Sequence, residues 1–274
     1  MNYTSHTIQA NGIAQHYHRT GGDKPPLVLL HGFTDNGACW LPVADTLAQD
    51  YDLIMPDFRG HGKSERIGSK GFSSEALAED VAALIQALGL NRPAVMGHSL
   101  GAFTGLLLAA THPELVSCLL LEDPPFTTAP AQDAEEQHAN RMREWADNMR
   151  RMQAQSPEEL IAGERERSPR WSAAELEPWA ESKHQLDLDV FVWRSAFPAW
   201  QPMLQQVQCP LLLLYGETTI VNESIVQEAA SLWRNGQAVQ IAHAGHCIRR
   251  DNPADFLTAV QAFLHAHYQN SYTS

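Results

Sequence analysis

The stretch Pro93-Ala94-Val95-Met96-Gly97-His98-Ser99-Leu100-Gly101-Ala102-Phe103 constrains this chain more than any other. A short apolar run leads into a tight Gly-x-Ser-x-Gly turn, and a small-residue helix follows to about Ala110. A serine in such a turn is forced into a strained backbone that pushes its hydroxyl out of the sheet edge. Gly97 and Gly101 leave room for the turn, because a side chain at either position would collide with the neighbouring backbone. The helix aims its unbonded N–H groups at the same point, which makes the Leu100 N–H a candidate donor to a developing oxyanion. Ser99 is thus a candidate nucleophile. The five residues alone also describe an ordinary glycine-rich turn, so the rest of the chain must supply a base, an acid and a second oxyanion donor.

The segments around this turn alternate between strand and helix. Thr7 to His18 reads as two short strands about the hairpin dipeptide Asn11-Gly12. Leu27-Val28-Leu29-Leu30 is an apolar run of the kind buried on both faces of a parallel sheet, and Tyr51 to Met55 reads as another strand. A helix is expected around Ala38 to Gln49, and a second over Ser73 to Leu88, with Ser73 or Ser74 as N-cap and Gly89 after its end. Leu115 to Leu121 reads as a strand ending in Glu122-Asp123-Pro124. Near the end come the strand Leu211 to Tyr215, a helix from Asn222 to Trp233, a strand at Ala238 to Ala242 and a final helix with Phe256, Val260 and Phe263 on one side. The tail from His267 is polar and is expected to fray. This order predicts an α/β fold with a mostly parallel sheet covered on both faces.

The pattern breaks after Phe126. From about Ala129 to Trp200 there is no buried-strand signal, only charged helical segments. Five of the seven tryptophans fall here: Trp145, Trp171, Trp179, Trp193 and Trp200. An inserted helical cap, residues 127–200, on a core formed by 1–126 and 201–274 accounts for this, with aromatic residues facing the sheet and a pocket beneath it. Arg141, Arg143, Arg150 and Arg151 could meet an anionic substrate, but acidic residues outnumber basic ones across the cap and favour a solvated helix face.

Two strand-to-helix loops need separate attention. In His31-Gly32-Phe33-Thr34, Gly32 lets the backbone approach a ligand and the Phe33 N–H is the candidate second oxyanion donor, while His31 reads as a structural hydrogen-bonder. Asp57 to Ser64 lacks phosphate-loop spacing, so Asp57, Arg59 and His61 read as residues that tie down their own loop.

Composition narrows the function further. A formal net charge of −13 argues against a nucleic-acid groove. No apolar run is long enough for a membrane span, and Met1 to Ala10 lacks the pattern of a secretory leader. Cys39, Cys118, Cys209 and Cys247 are scattered, without Cys-x-x-Cys, and read as mostly buried thiols of a reducing, cytoplasmic protein. No Cys or His spacing suggests a metal site, and no cofactor is expected.

Taken together, His31-Gly32-Phe33, the Asp57 to Ser64 loop, Gly97-His98-Ser99-Leu100-Gly101 and Ala244-Gly245-His246 followed by Asp251-Asn252-Pro253 resemble the α/β-hydrolase superfamily over nearly the whole chain. The resemblance implies the α/β-hydrolase fold and a triad in the order Ser, acid, His. It assigns the base to His246, in its Gly-His context, rather than to His243. A serine hydroxyl is a weak nucleophile unless a base takes its proton, histidine titrates near working pH, and a carboxylate must orient the ring.

The acid departs from the commoner family pattern. Most members carry it shortly after the strand corresponding to Leu211 to Tyr215, where this chain has Thr219, flanked at a distance by Glu217 and Glu223. Some members, including a subgroup of haloalkane dehalogenases, place it after the strand that follows the nucleophile helix. That position here is Glu122-Asp123. Side chains alternate along a strand, so only one of the two can face the histidine. Asp123 best matches the family offset, with Glu122 and the Glu217/Glu223 loop as alternatives.

Serine rather than aspartate at position 99 argues against dehalogenase and epoxide-hydrolase chemistry and favours acyl transfer to water. The expected function is hydrolysis of small or medium carboxylic esters, lactones among them, with a small-molecule ester as the partner. Amide hydrolysis and carbon–carbon cleavage use the same groups, although the oxyanion loop lacks the Gly-rich pattern common in the carbon–carbon hydrolases. A non-catalytic ligand receptor on the same fold is the rival from another class.

Overall fold

The computed structural model describes residues 3–126, 134–192 and 197–269. Its centre is an eight-stranded sheet in the order β1-β2-β4-β3-β5-β6-β7-β8. β1 (Thr4–Ala10) and β2 (Ile13–Arg19) form an antiparallel hairpin. Its two turn residues, Asn11 and Gly12, have φ of 48° and 71°, the left-handed pair that such a turn requires. β2 also runs antiparallel to β4 (Asp52–Pro56), and every later pairing is parallel. The parallel part comprises β3 (Pro26–Leu30), β4, β5 (Ala94–His98), β6 (Cys118–Glu122), β7 (Leu211–Tyr215) and β8 (Gly236–Gln240).

The apolar runs follow from burial on both faces. Along β3, Val28 and Leu30 belong to one packed layer and Leu27 and Leu29 to the other. The first layer receives α2 (Ser74–Ala87), α3 (Leu100–Thr111) and α8 (Glu223–Leu232), through Leu77, Val81, Leu106 and Ile225. The second receives α1 (Leu41–Leu47) and α10 (Pro253–Leu264), through Val43, Leu47, Phe256, Val260 and Phe263. The expected helix from Ala38 begins as a 3-10 turn, Gly37–Trp40, before α1 takes over at Leu41-Pro42. Ser73 caps α2 by accepting from the Ala76 N–H, and Gly89 follows with φ of 62°.

Between β6 and β7 lie α4 (Ala134–Gln153), α5 (Pro157–Arg167), α6 (Ala173–Gln185) and α7 (Trp200–Gln206). No strand occurs among the described residues of this stretch. Ser156 and Glu159 form a reciprocal capping box that starts α5. Trp200 is buried in the first packed layer and stacks on Phe126, with centroids 4.5 Å apart. Trp193 lies outside the described residues. Arg141, Arg143, Arg150 and Arg151 are all exposed on α4.

Two expectations need correction. The last strand occupies Gly236–Gln240 rather than Ala238 to Ala242, because pairing with β7 fixes its register, Leu211 opposite Gly236 and Tyr215 opposite Gln240. The tail does not fray at His267. Tyr268 is buried, its hydroxyl donates to the Pro26 carbonyl at 2.8 Å and its ring stacks on Tyr51. The short α9 (Ile248–Asp251) had no sequence counterpart.

The loops after β3 and β4 lock each other. Asp57 accepts from His16 Nδ1 at 2.8 Å, from the Gly37 N–H at 2.7 Å and from the Lys63 N–H at 2.8 Å. Arg59 makes a two-pronged pair with Asp80, both contacts at 2.6 Å. His61 Nε2 lies 2.6 Å from the Phe33 carbonyl oxygen, which holds the candidate oxyanion loop in place. His31 is fully buried. Its Nδ1–H donates to the Gly32 carbonyl at 2.8 Å, and its bare Nε2 accepts the Phe58 N–H at 3.0 Å. That pair of bonds requires the neutral ring, and burial pushes its pKa down to about 3.

This generates an acid-stability prediction. The unfolded chain takes up the His31 proton near pH 6.5, whereas the fold resists it down to about 3. Stability is therefore lost as pH falls through that window, by up to about 1.4 kcal/mol per pH unit. In urea melts at pH 7 and pH 5, the parent chain loses about 2 kcal/mol more than His31→Gln. Equal losses in both proteins would contradict this account of the loop.

Candidate active site

Ser99 sits between β5 and α3 with φ of 51° and ψ of −115°, a strained conformation for a residue with a side chain. Neighbouring backbone packs tightly around the turn. A Cβ at Gly97 would overlap the Gly101 carbonyl, and one at Gly101 would overlap the Leu30 carbonyl. The Ser99 N–H donates to the Glu122 carbonyl at 2.9 Å, which ties the turn to the end of β6. Leu100 is the first residue of α3, so its N–H belongs to the helix turn that lacks intrahelical acceptors.

Glu122 and Asp123, side by side in sequence, go to different places. Asp123 has φ of 41° just past β6 and is fully buried. Its carboxylate accepts from the Ile220 N–H at 3.2 Å, the Val221 N–H at 3.0 Å and His246 Nδ1 at 2.5 Å. Glu122 accepts instead from the backbone N–H of Arg249 at 2.9 Å and from Arg249 Nη1 at 3.0 Å. Burial pushes its carboxyl up, and Arg249 opposes this. Glu217 and Glu223 are exposed, away from this contact. The loop after β7, where most relatives in the superfamily carry the acid, here turns through a bond from Thr219 Oγ1 to the Val221 carbonyl at 2.8 Å and supplies backbone donors to Asp123.

His246 lies in the loop after β8, with its side chain 39% exposed. The Gly245 N–H before it is held by Asp251 at 2.8 Å. Its own carbonyl accepts His98 Nε2–H at 3.0 Å. His98 Nδ1 is buried without a partner among the described residues, and burial followed by the Arg249 charge holds the pKa of the ring well below the usual range. Ser99, His246, Gly32 and Phe33 line one cavity of about 320 Å³. Trp145 and Met149 of α4, Trp179 of α6 and Trp171 from the connection before α6 line its other side. The cavity wall is mostly apolar, which suits a small acyl or alkyl group beside a reacting carbonyl.

Sequence reasoning missed the side chains that support this arrangement. Asp35 accepts from Lys183 at 3.2 Å, Arg249 at 3.4 Å and Arg250 at 2.9 Å, all of them buried. Burial raises the Asp35 carboxyl, and the three cations outweigh that to hold it well below the ordinary value. The signal available was the Arg249-Arg250 pair three residues after His246, but nothing local names its partners. Among the described residues, no three His, Cys, Asp or Glu side chains come together as metal ligands. No described helix is long and apolar enough to cross a membrane.

Residues 25–253 match the sequence model described as alpha/beta hydrolase fold. N-formylmaleamate deformylase of Pseudomonas putida is 29% identical over 265 residues, covering 94% of this chain and 95% of that protein. The 2-(acetamidomethylene)succinate hydrolase of Mesorhizobium japonicum is 27% identical over 261 residues, covering 90% of this chain and 91% of that one. The crystal structure of the N-formylmaleamic acid deformylase from Pseudomonas putida S16 matches with a TM-score of 0.79 at 28% identity, over 94% of this chain and 100% of its own.

The different surroundings of the two adjacent acids predict different damage. Asp123→Asn lowers kcat by about 10³–10⁴-fold, because the ring loses its orienting carboxylate. Glu122→Gln strips Arg249 of its buried partner and costs about 3–5 kcal/mol of stability. Glu217→Gln changes neither. Paired kcat and thermal-melt measurements on the three variants check this, and a crippled Glu217→Gln would move the acid to the loop after β7.

Proposed function

The chain belongs to the alpha/beta hydrolase fold family, and we propose that it is a serine hydrolase that transfers small acyl groups to water through Ser99. The observation that carries the reading is the 2.5 Å contact between His246 Nδ1 and Asp123, with Ser99 and His246 on the wall of one cavity. In this reading His246 takes the Ser99 proton as the hydroxyl attacks the carbonyl carbon. Asp123 holds the ring and stabilises its charged form. The N–H groups of Phe33 and Leu100 receive the oxyanion. His246 then protonates the leaving atom, an acyl-enzyme remains on Ser99, and water activated by the same ring releases the acid. Residues 127–200 act as the helical cap that shapes the cavity over a core of 1–126 and 201–274. The four free cysteines fit a cytoplasmic protein.

An acylated nitrogen is our first substrate class, ahead of a carboxylic ester. Two relatives that align with nine-tenths or more of the chain support this. One is named for removing a formyl group from N-formylmaleamate, the other for hydrolysing an acetamido compound. The ester reading keeps its place because the same steps cleave an ester, whose leaving group is easier to expel. Activated esters therefore serve as convenient test substrates.

A fluorophosphonate probe labels the parent protein and fails to label Ser99→Ala. Persisting label in that variant would remove Ser99 as the nucleophile. Against a panel of N-formyl and N-acetyl amides, the parent releases formate or acetate. Turnover of p-nitrophenyl acetate with none of the amides would return the assignment to an esterase.

A further inference from the structure

Arg250 stands in the cavity wall with donors to spare. It is 3% exposed. Its Nε donates to Glu175 at 3.2 Å, its Nη2 donates to Asp35 at 2.9 Å, and its guanidinium carbon lies 4.7 Å from the centre of the Trp171 ring. These contacts fix the plane of the group. Among the described residues its Nη1 has no hydrogen-bond partner, yet it is absent from the fully buried unpartnered atoms, whereas Arg249 Nε is among them. Arg250 lines the cavity that holds Ser99 and His246, so the cavity is where a ligand would reach this uncommitted nitrogen.

The other two cations of the cluster are already committed. Lys183 Nζ spends its donors on the Thr34 carbonyl at 2.8 Å, Thr34 Oγ1 at 3.0 Å and Asp35 at 3.2 Å. Arg249 is fully buried and pairs with Glu122. The cluster sets three cations, Lys183, Arg249 and Arg250, against three acids, Asp35, Glu122 and Glu175. In a chain with a net charge of −13, such a pocket-facing cation is a local exception. A planar guanidinium with a free N–H pair is a standard partner for a carboxylate.

We propose that Arg250 forms a carboxylate subsite of the catalytic cavity, so that the hydrolysed acyl compound is an anion carrying an acid group besides the bond that is cut. The inference rests on the serine-hydrolase reading and adds the substrate class. No covalent step is assigned to Arg250. It anchors the substrate while Ser99 acts.

Matched pairs of substrates test this. N-acetyl-β-alanine is compared with N-acetylpropylamine, which places the acid on the leaving side. N-propylsuccinamic acid is compared with N-propylbutyramide, which places it on the acyl side. At least one acid member is expected to exceed its neutral partner in kcat/KM by about ten- to hundredfold, the range of a charge-assisted hydrogen bond. Arg250→Gln, with folding checked by thermal melting, is expected to shrink that ratio at least tenfold, and Arg250→Lys to restore part of it. Should Arg250→Gln fail to fold, the ratios in the parent and in Arg250→Lys carry the test. Equal turnover of acid and neutral members, with Ser99 still labelled by fluorophosphonate, overturns the subsite and leaves the hydrolase reading intact. An acid preference unchanged in a folded Arg250→Gln overturns the assignment to Arg250. Loss of turnover and of labelling together would instead defeat the hydrolase reading itself.

Discussion

A fully buried carboxylate must be given hydrogen-bond donors, and those that Asp123 collects come from separate segments of the chain. The Ile220 and Val221 N–H groups come from the loop after β7, and the imidazole comes from the loop after β8. The Asp123 N–H itself is taken by the Leu214 carbonyl of β7. The Ser99 N–H completes the tie by bonding the Glu122 carbonyl. β5, β6, β7 and β8 are consecutive neighbours in the sheet, so residues far apart in sequence end at one rim. The site is the place where the backbone of four strands runs out and side chains take over its hydrogen bonding.

The pair Glu122-Asp123 divides two tasks at one strand end. Glu122, the last residue of β6, turns toward Arg249, and Asp123, just past the strand with φ of 41°, reaches the His246 ring. Arg249 and its neighbour Arg250 in turn bind Asp35, in the loop that carries Gly32 and Phe33. Lys183 of α6 joins the same carboxylate. The loop after β3, the loop that carries His246 and a cavity-lining helix are thereby fastened at one buried point. The arrangement makes the shape of the cavity depend on the same few ions.

The legible parts of this chain were those with local causes. Asn11-Gly12 announces its hairpin because few other residues accept two left-handed conformations in succession. The Ser99 turn is readable because Gly97 and Gly101 have no substitutes at such close backbone approach. Family offset favours Asp123 over Glu122; in the structure Asp123 contacts His246, while Glu122 contacts Arg249. What the sequence did not reveal depends on partners remote in the chain. Tyr268 reads as part of a polar tail until Pro26 and Tyr51 are placed beside it. His98 reads as an unremarkable position within the pentapeptide, yet it holds the carbonyl of His246. β8 is polar and only half-buried, so its register follows β7 rather than its own hydrophobic pattern.

The central claim is that the acyl group passes through Ser99. Mass spectrometry of the protein quenched during turnover of p-nitrophenyl acetate tests it most directly. The account predicts an added acetyl group on the peptide containing Ser99, which disappears once substrate is exhausted. Turnover with no adduct on that serine, or with the acetyl group carried by another residue, would contradict it.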